Sequence, residues 1–234
     1  MHETGVAKTG IELELDKPKS QMGLAAALAV LTTAGITALV GYRNHRLNTE
    51  AARITRLLGM VQGLRIAEVG AGRGTMAFRV ARRLGPTGTM FATDLNPDHL
   101  STLHDKAGKL RVRNLTVLPG SEDDCGLPPA SCDGIYLRGA YHHLTNPENI
   151  AHSLLAALRP GGILLIIDFR PRLLLAPWTP KGIPGNRGGH GVREEVVIHE
   201  LTSAGFRFLQ AVQDWQRPLY CLMFQRPQHG ARLR

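Results

Sequence analysis

Three glycines at alternate positions, Gly70, Gly72 and Gly74, follow Glu68 in the stretch "AEVGAGRG". A backbone without Cβ atoms turns sharply and lets a ligand come close to main-chain groups. Asp94 lies twenty residues beyond Gly74. An acid ending a second strand at about that separation accepts hydrogen bonds from ribose hydroxyls. The stretch "SEDD" at 121–124 adds Glu122 and Asp123, placed to meet an adenine amino group. Tyr141, His142 and His143 offer groups that move protons, the imidazoles near neutral pH. The glycine spacing is GxGxG with Thr75 next, so the dinucleotide fingerprint GxGxxG is not met.

Helix and strand must alternate to bring these groups together. "LRIAEVG" reads as a short buried strand running into the glycines, and "TMAFRVARRLG" as a helix with Ala77, Val80, Ala81 and Leu84 on one face and Gly85 as its stop. "TMFATD", "LTVLPG", "DGIYLRG" and "ILLIIDF" read as further strands, with a helix around "DHLSTLHDKAGKL" and another with Asn146 as N-cap, Pro147 in its first turn and "RPGG" as its stop. Apolar strands without alternation predict a mostly parallel sheet covered on both faces. After a helix at "REEVVIHELTSAG", the runs "FRFLQAVQDW" and "LYCLMFQ" are spaced to pair as a hairpin. The expected fold class is therefore α/β, a doubly wound sheet of seven strands, mostly parallel with a C-terminal antiparallel hairpin.

The N-terminus divides into a polar tail over residues 1–21, expected to be disordered, and an uncharged run over residues 22–42, "MGLAAALAVLTTAGITALVGY". That run is long enough for a bilayer-crossing helix, although its alanine, glycine and threonine also suit a helix packed over the following domain. Arg43, Arg46, Arg53 and Arg56 follow it, which biases residues 43–234 toward the cytoplasm if the run is a membrane anchor. The formal charge of +9 is scattered rather than gathered in a stripe, and aromatic residues make up only 5%, so nucleic acid is not an expected partner. Cys125, Cys132 and Cys221 show neither CxxC nor zinc spacing, and no metal is expected.

Taken in order, "EVGAGRG", "ATDLNPDHL", "PGSEDD", "CDGIYLRGAYHHL", "LRPGGILLIIDF" and the terminal hairpin resemble the class I S-adenosylmethionine-dependent methyltransferases over residues 45–227. "YHHL", "PGG" and "DFRP" resemble the small-molecule, quinone-biosynthesis type within that superfamily. The resemblance implies a Rossmann-like domain over residues 43–234, the cofactor S-adenosyl-L-methionine and a small-molecule acceptor. It implies that Glu68 and the loop at Gly70, Ala71, Gly72 and Gly74 hold the methionine part, that Asp94 holds the ribose and that Leu95 lies against the adenine. Glu122 or Asp123 would face the adenine edge, although Ser121 stands where the family usually has an Asp before a small residue. Arg138, with Gly139, would offer a backbone carbonyl to the cofactor's amino group.

Methyl transfer from a sulfonium needs alignment more than side-chain chemistry. Tyr141, His142 and His143 are therefore candidates for a catalytic base only where the acceptor starts as a hydroxyl, phenol or acidic carbon. The long stretch "RPRLLLAPWTPKGIPGNRGGHGV", rich in proline and glycine, reads either as a lid, with Leu173, Leu174, Leu175 and Trp178 covering an apolar acceptor or touching a membrane and Arg170 and His190 meeting an acidic group, or as a surface loop whose apolar residues pack on the sheet edge. Asp168, at the end of the fifth strand, either orients the acceptor or caps that loop. Two other readings stay open: an inactive methyltransferase fold that binds a ligand, and a nicotinamide-dependent oxidoreductase, which the missing GxGxxG and the hairpin disfavour.

Overall fold

A computed structural model describes residues 19–59, 63–171, 182–187 and 190–228, with side chains from residue 32 onward. The expected disordered tail lies outside these residues through position 18. The side chains at 22–31 of the apolar run and the lid residues Leu173 to Trp178 lie outside them as well.

The elements run α1 (Lys19–Leu57), β1 (Arg65–Val69), α2 (Ala77–Leu84), β2 (Thr89–Asp94), α3 (Pro97–Lys109), β3 (Leu115–Pro119), β4 (Cys132–Arg138), α4 (Pro147–Ala157), β5 (Leu158–Phe169), α5 (Glu194–Ser203), β6 (Arg207–Ala211) and β7 (Leu219–Gln225). One seven-stranded sheet has the order β3-β2-β1-β4-β5-β7-β6. The first five strands in that order pair in parallel, and β7 pairs antiparallel with both β5 and β6. The chain reverses its direction of winding between β1 and β4. In open α/β sheets, ligands bind at the carboxyl ends of strands beside such a reversal.

Each face of the sheet carries its own core. Ile150, Leu154, Val197 and Leu201 of α4 and α5 cover one face with Ile135, Leu137, Leu164 and Ile166 of β4 and β5. Ala51, Ile54 and Leu58 of α1 and Ala77, Val80, Ala81 and Leu84 of α2 cover the other. The periodic face read for α2 is thus the buried one. Full burial of a Val, Leu or Ile side chain is worth about 1.5–3 kcal/mol, so this face is enough to fix the helix on the sheet.

Two local signals play out differently from their sequence reading. Asn146 occupies the position before α4 but makes no side-chain cap; its amide donates instead to Asp123 at 2.7 Å. "RPGG" does not separate α4 from the strand by a loop, because β5 begins at Leu158 and runs through Gly161 and Gly162. The backbone satisfies itself there by pairing with the chain after β7: Gly161 N–H donates to the Arg226 carbonyl and Arg226 N–H to the Gly162 carbonyl, both at 2.9 Å.

The chain divides into two units, Met1–Arg46 and Leu47–Arg234. In the first, Ile36, Leu39, Val40 and Tyr42 are exposed. Among the described residues, no helix is long and apolar enough to cross a membrane. In the second, the end of α1 is fastened by charge as well as by apolar packing. Arg53 lies 4.5 Å over the Trp215 ring and donates to the carbonyls of Gln213 and Asp214.

Candidate active site

β1 delivers the chain into its glycine turn at the carboxyl edge of the sheet. Gly70 has φ +76, and a Cβ there would lie 2.6 Å from the Cβ of Ala140, so only glycine lets the turn pass beside β4's exit loop. Gly74 has a packing role: a Cβ would meet Leu103 and Phe78 at 2.6 Å. The sequence reading left the loop's amides to a ligand; in the structure those of Gly70, Ala71, Gly72 and Gly74 have partners within the chain. Gly70 and Ala71 N–H both donate to the Thr93 carbonyl at 2.9 Å, and Gly74 N–H to the Ala71 carbonyl. Gly72 N–H donates to Asp94 Oδ2 at 2.8 Å. Buried amides find partners, and here the end of β2 supplies them. What the loop offers a ligand is clearance.

Asp94 is the hinge of this arrangement. Its Oδ2 takes Gly72 N–H, while Oδ1 takes Asn96 N–H at 2.9 Å and lies 3.2 Å from His99 Nδ1. A carboxylate has about four lone-pair directions, so acceptor capacity remains, and Asp94 borders a cavity of about 410 Å³. Gly70, Gly72 and Leu95 border it on the same side, Gly120, Ser121, Asp124 and Cys125 beyond them, and Gly139, Ala140 and His143 at the β4 end. Leu95 is 66% exposed, an apolar surface beside an acid.

The second acidic stretch is sorted by its hydrogen bonds. Asp123 accepts the side-chain amides of Asn146 and Asn149 at 2.7 and 2.9 Å, which fastens it to α4 and away from the cavity. Glu122 is exposed and is not among the lining residues. Ser121 and Asp124 occupy the wall instead. Ser121 Oγ accepts the Asp123 and Asp124 amides, and Asp124 Oδ1 accepts Gly126 N–H, a tight turn that aims Asp124 where its neighbours were expected.

Glu68 and Arg138 also stay out of the lining. Glu68 is buried, accepts Tyr136 O–H at 3.0 Å and takes the backbone N–H of Ala77 at the start of α2. No side chain at the helix's own N-cap does this, so Glu68 stands in for the missing cap. Burial pushes its carboxyl up to about 8. Arg138 forms a two-pronged pair with Glu50 of α1, both contacts at 2.9 Å. Glu50 had no local signal, being 88 residues away in sequence. The neighbouring backbone at Gly139, in the left-handed region at φ +63, does line the cavity.

The histidines gather at the β4 and β5 ends. Tyr141–His143 forms a 3-10 turn. His142 is buried; its Nδ1 lies 2.6 Å from Asp168 Oδ1, and its N–H donates to Asp168 Oδ2 at 3.0 Å. His143 faces the cavity, with its pKa lowered by desolvation and then by His142 beside it. The loop before α5 brings His190 to the same place, its ring centroid 6.3 Å from His142 and 5.9 Å from His143. Tyr141 turns the other way, donating to Glu200 Oε2 at 2.9 Å while Arg187 pairs with that carboxylate at 2.6 Å. Burial and Glu200 push the phenol well up, so it stays protonated and acts as an anchor. Arg170 pairs with Glu194 at 2.5 Å on the surface and is not part of the cluster.

A nucleoside fits this cavity. Its volume lies within the usual range of about 300–1,000 Å³ for small-molecule sites. An acid with spare acceptor capacity adjoins an exposed leucine, matching hydroxyls beside a flat apolar base, and the glycine turn clears the wall. Comparison with known proteins agrees. Residues 66–162 match the family model described as a methyltransferase domain. Ubiquinone/menaquinone biosynthesis C-methyltransferase UbiE of Pseudomonas putida is 27% identical over 114 residues, 48% of this chain and 44% of the relative; the Edwardsiella ictaluri protein of the same name is 27% identical over 118 residues, 50% and 47% of the two chains. The chain thus spans about half the length of the curated relatives it matches. The fold aligns with a SAM-dependent methyltransferase from Aquifex aeolicus at TM-score 0.62 and 23% identity, over 75% of this chain and 87% of that one. It also aligns with the [4+2]-cyclase SpnF at TM-score 0.63 and 15% identity, over 77% and 82%.

Proposed function

We propose that this chain, which carries a class I methyltransferase domain with S-adenosyl-L-methionine as its cofactor, transfers a methyl group to a small, partly apolar acceptor. One observation carries the reading: a single cavity joins Asp94 and Leu95, suited to a nucleoside, to His143 and the histidines behind it. The bound cofactor would supply an activated methyl group. The chain's own task is to seat it and to handle the acceptor. Asp94 holds the ribose, Leu95 lies against the base, and Ser121 and Asp124 take the place at the adenine edge expected for Glu122 or Asp123. His143, exposed at the cavity wall and with its pKa lowered by desolvation and by His142 beside it, is placed to take an acceptor proton. Asp168 fixes His142 in one tautomer and orientation behind it. Relatives named for ubiquinone/menaquinone biosynthesis support a quinone-type acceptor.

Incubation with methyl-radiolabelled cofactor and fractionated metabolite extract should label a small, organic-extractable product. Binding of S-adenosylhomocysteine by calorimetry without label transfer to any fraction would instead favour a ligand-binding module, and failure to bind it would sink the cofactor assignment.

Membrane attachment through residues 22–42 belongs to the same reading. Ile36, Leu39 and Val40 are exposed by 63, 67 and 52% and stand three and four positions apart, on one side of the helix. Arg43 and Arg46 follow directly, and a catalytic domain on the cytoplasmic side would meet cofactor made there. Full-length protein should remain with membranes through an alkaline carbonate wash, whereas a chain beginning at Arg43 should be soluble and still bind S-adenosylhomocysteine. Full-length protein in the soluble fraction, or a truncated chain that cannot fold, would favour a helix packed on the domain.

A further inference from the structure

We propose that His142, His143 and His190 form a binding site for a divalent metal ion of the zinc class, with a coordination position open toward the cavity. One candidate ligand atom from each residue lies within 4.8 Å of the other two. Zinc–nitrogen bonds of about 2.0–2.1 Å place tetrahedral ligands roughly 3.4 Å apart, so small side-chain rotations close the set. Donor type narrows the ion: imidazole suits zinc, copper, iron and nickel, whereas magnesium and calcium prefer oxygen.

The surroundings are built as a ligand's support is built. Asp168 is fully buried and sits 2.6 Å from Nδ1 of His142, which leaves Nε2 as the nitrogen able to ligate. A carboxylate behind a histidine in this way fixes the tautomer of metal ligands and raises their basicity. His190 is held by independent means. Its backbone is left-handed, at φ +54, a conformation that persists in a non-glycine residue only when its surroundings impose it. Gly191 imposes it: a Cβ there would fall 2.5 Å from the Arg170 carbonyl group, and Val192 N–H donates to the Phe169 carbonyl at 2.9 Å. The end of β5 thus grips the loop and delivers the third imidazole to the two from β4.

Three protein ligands with a vacant fourth position are typical of catalytic rather than structural zinc. His143 is also a cavity-lining residue, so an acceptor oxygen entering the open position would be held and made more acidic beside the methyl donor. That role rests on the methyl-transfer reading and replaces proton transfer by His143, whose one lone pair the metal would occupy; the metal site itself does not rest on it.

Full-length protein, freed of metal with a chelator and of any affinity tag, is titrated with Co²⁺ under visible spectroscopy and with Zn²⁺ against a competing chromophoric chelator. One equivalent should bind, with the intense visible bands of tetrahedral Co²⁺. His190→Ala and His143→Ala should each weaken Zn²⁺ at least tenfold, and Asp168→Asn by roughly 10- to 100-fold, the usual cost of removing a ligand's supporting carboxylate. Thermal melting and far-ultraviolet circular dichroism identify any variant that has failed to fold, and the comparison then rests on the variants that fold. Less than stoichiometric uptake by the parent protein, or equal Zn²⁺ affinity in the folded histidine variants, overturns the site. Metal uptake is read without turnover, so its failure leaves the methyl-transfer reading standing, and absent transfer with normal uptake leaves the metal site standing.

Discussion

Asp94→Asn should weaken S-adenosylhomocysteine binding by roughly ten- to a hundredfold, the equivalent of losing about 1.5–3 kcal/mol from hydrogen bonds to a charged acceptor. Asparagine keeps the volume but has one acceptor oxygen in place of two. The native carboxylate already serves Gly72 N–H on one oxygen and Asn96 N–H on the other, so in the variant one of those amides faces an NH₂ group. The loss therefore has a direct part, at the ribose, and an indirect part, through a loosened glycine turn. Thermal melting without ligand separates them: a small drop in Tm with a large loss of affinity places the effect on the ligand contact, and a large drop places it on the turn. Unchanged affinity by calorimetry would remove Asp94 from the cofactor site.

Asp94 was legible because the alternation of strand and helix fixes where a second strand ends, and the end of β2 adjoins the turn after β1 in any sheet wound this way. The seven strands, their mostly parallel pairing and the terminal hairpin followed from the same local patterns. Direction of side chains did not. Asp123 and Asp124 are neighbours of one type, and the side-chain amides of Asn146, before α4, and Asn149, within it, draw Asp123 away. The side chain of Arg138 is held by Glu50 of α1, a partner that no window around β4 contains, while the carbonyl assigned to the cofactor is a backbone group and does not depend on that pair. The histidines show the same limit. "YHH" and "GGHG" each hold candidates for chemistry, but their meeting depends on a loop of more than twenty residues after β5 folding back to its start. No periodicity records that return; Gly191, pressed against the Arg170 carbonyl, is a local trace of it.

Glu68 offers a test that needs no ligand. Its folded-state pKa stands near 8 because burial disfavours the carboxylate more than Tyr136, Arg138 and the Ala77 amide favour it. In the unfolded chain the same group titrates near its ordinary 4.5. Below that pH both states hold the proton and the contribution of Glu68 to stability is fully present. Between about 4.5 and 8 the unfolded chain releases its proton while the folded one keeps it, so stability attributable to this group falls by roughly 1.4 kcal/mol per pH unit. Above 8 both states are ionised and the loss is complete, on the order of 5 kcal/mol. Glu68→Gln retains an acceptor for Tyr136 O–H and for the Ala77 amide but has no proton to release. Urea unfolding of both proteins at pH 5, 6.5 and 8 should show the variant gaining on the parent as pH rises, by a few kcal/mol across the series. Parallel pH dependences would mean that Glu68 ionises in the folded protein as readily as in water, and that its place beneath α2 is that of a charged N-cap, with α2's dipole and Arg138 outweighing the cost of burial.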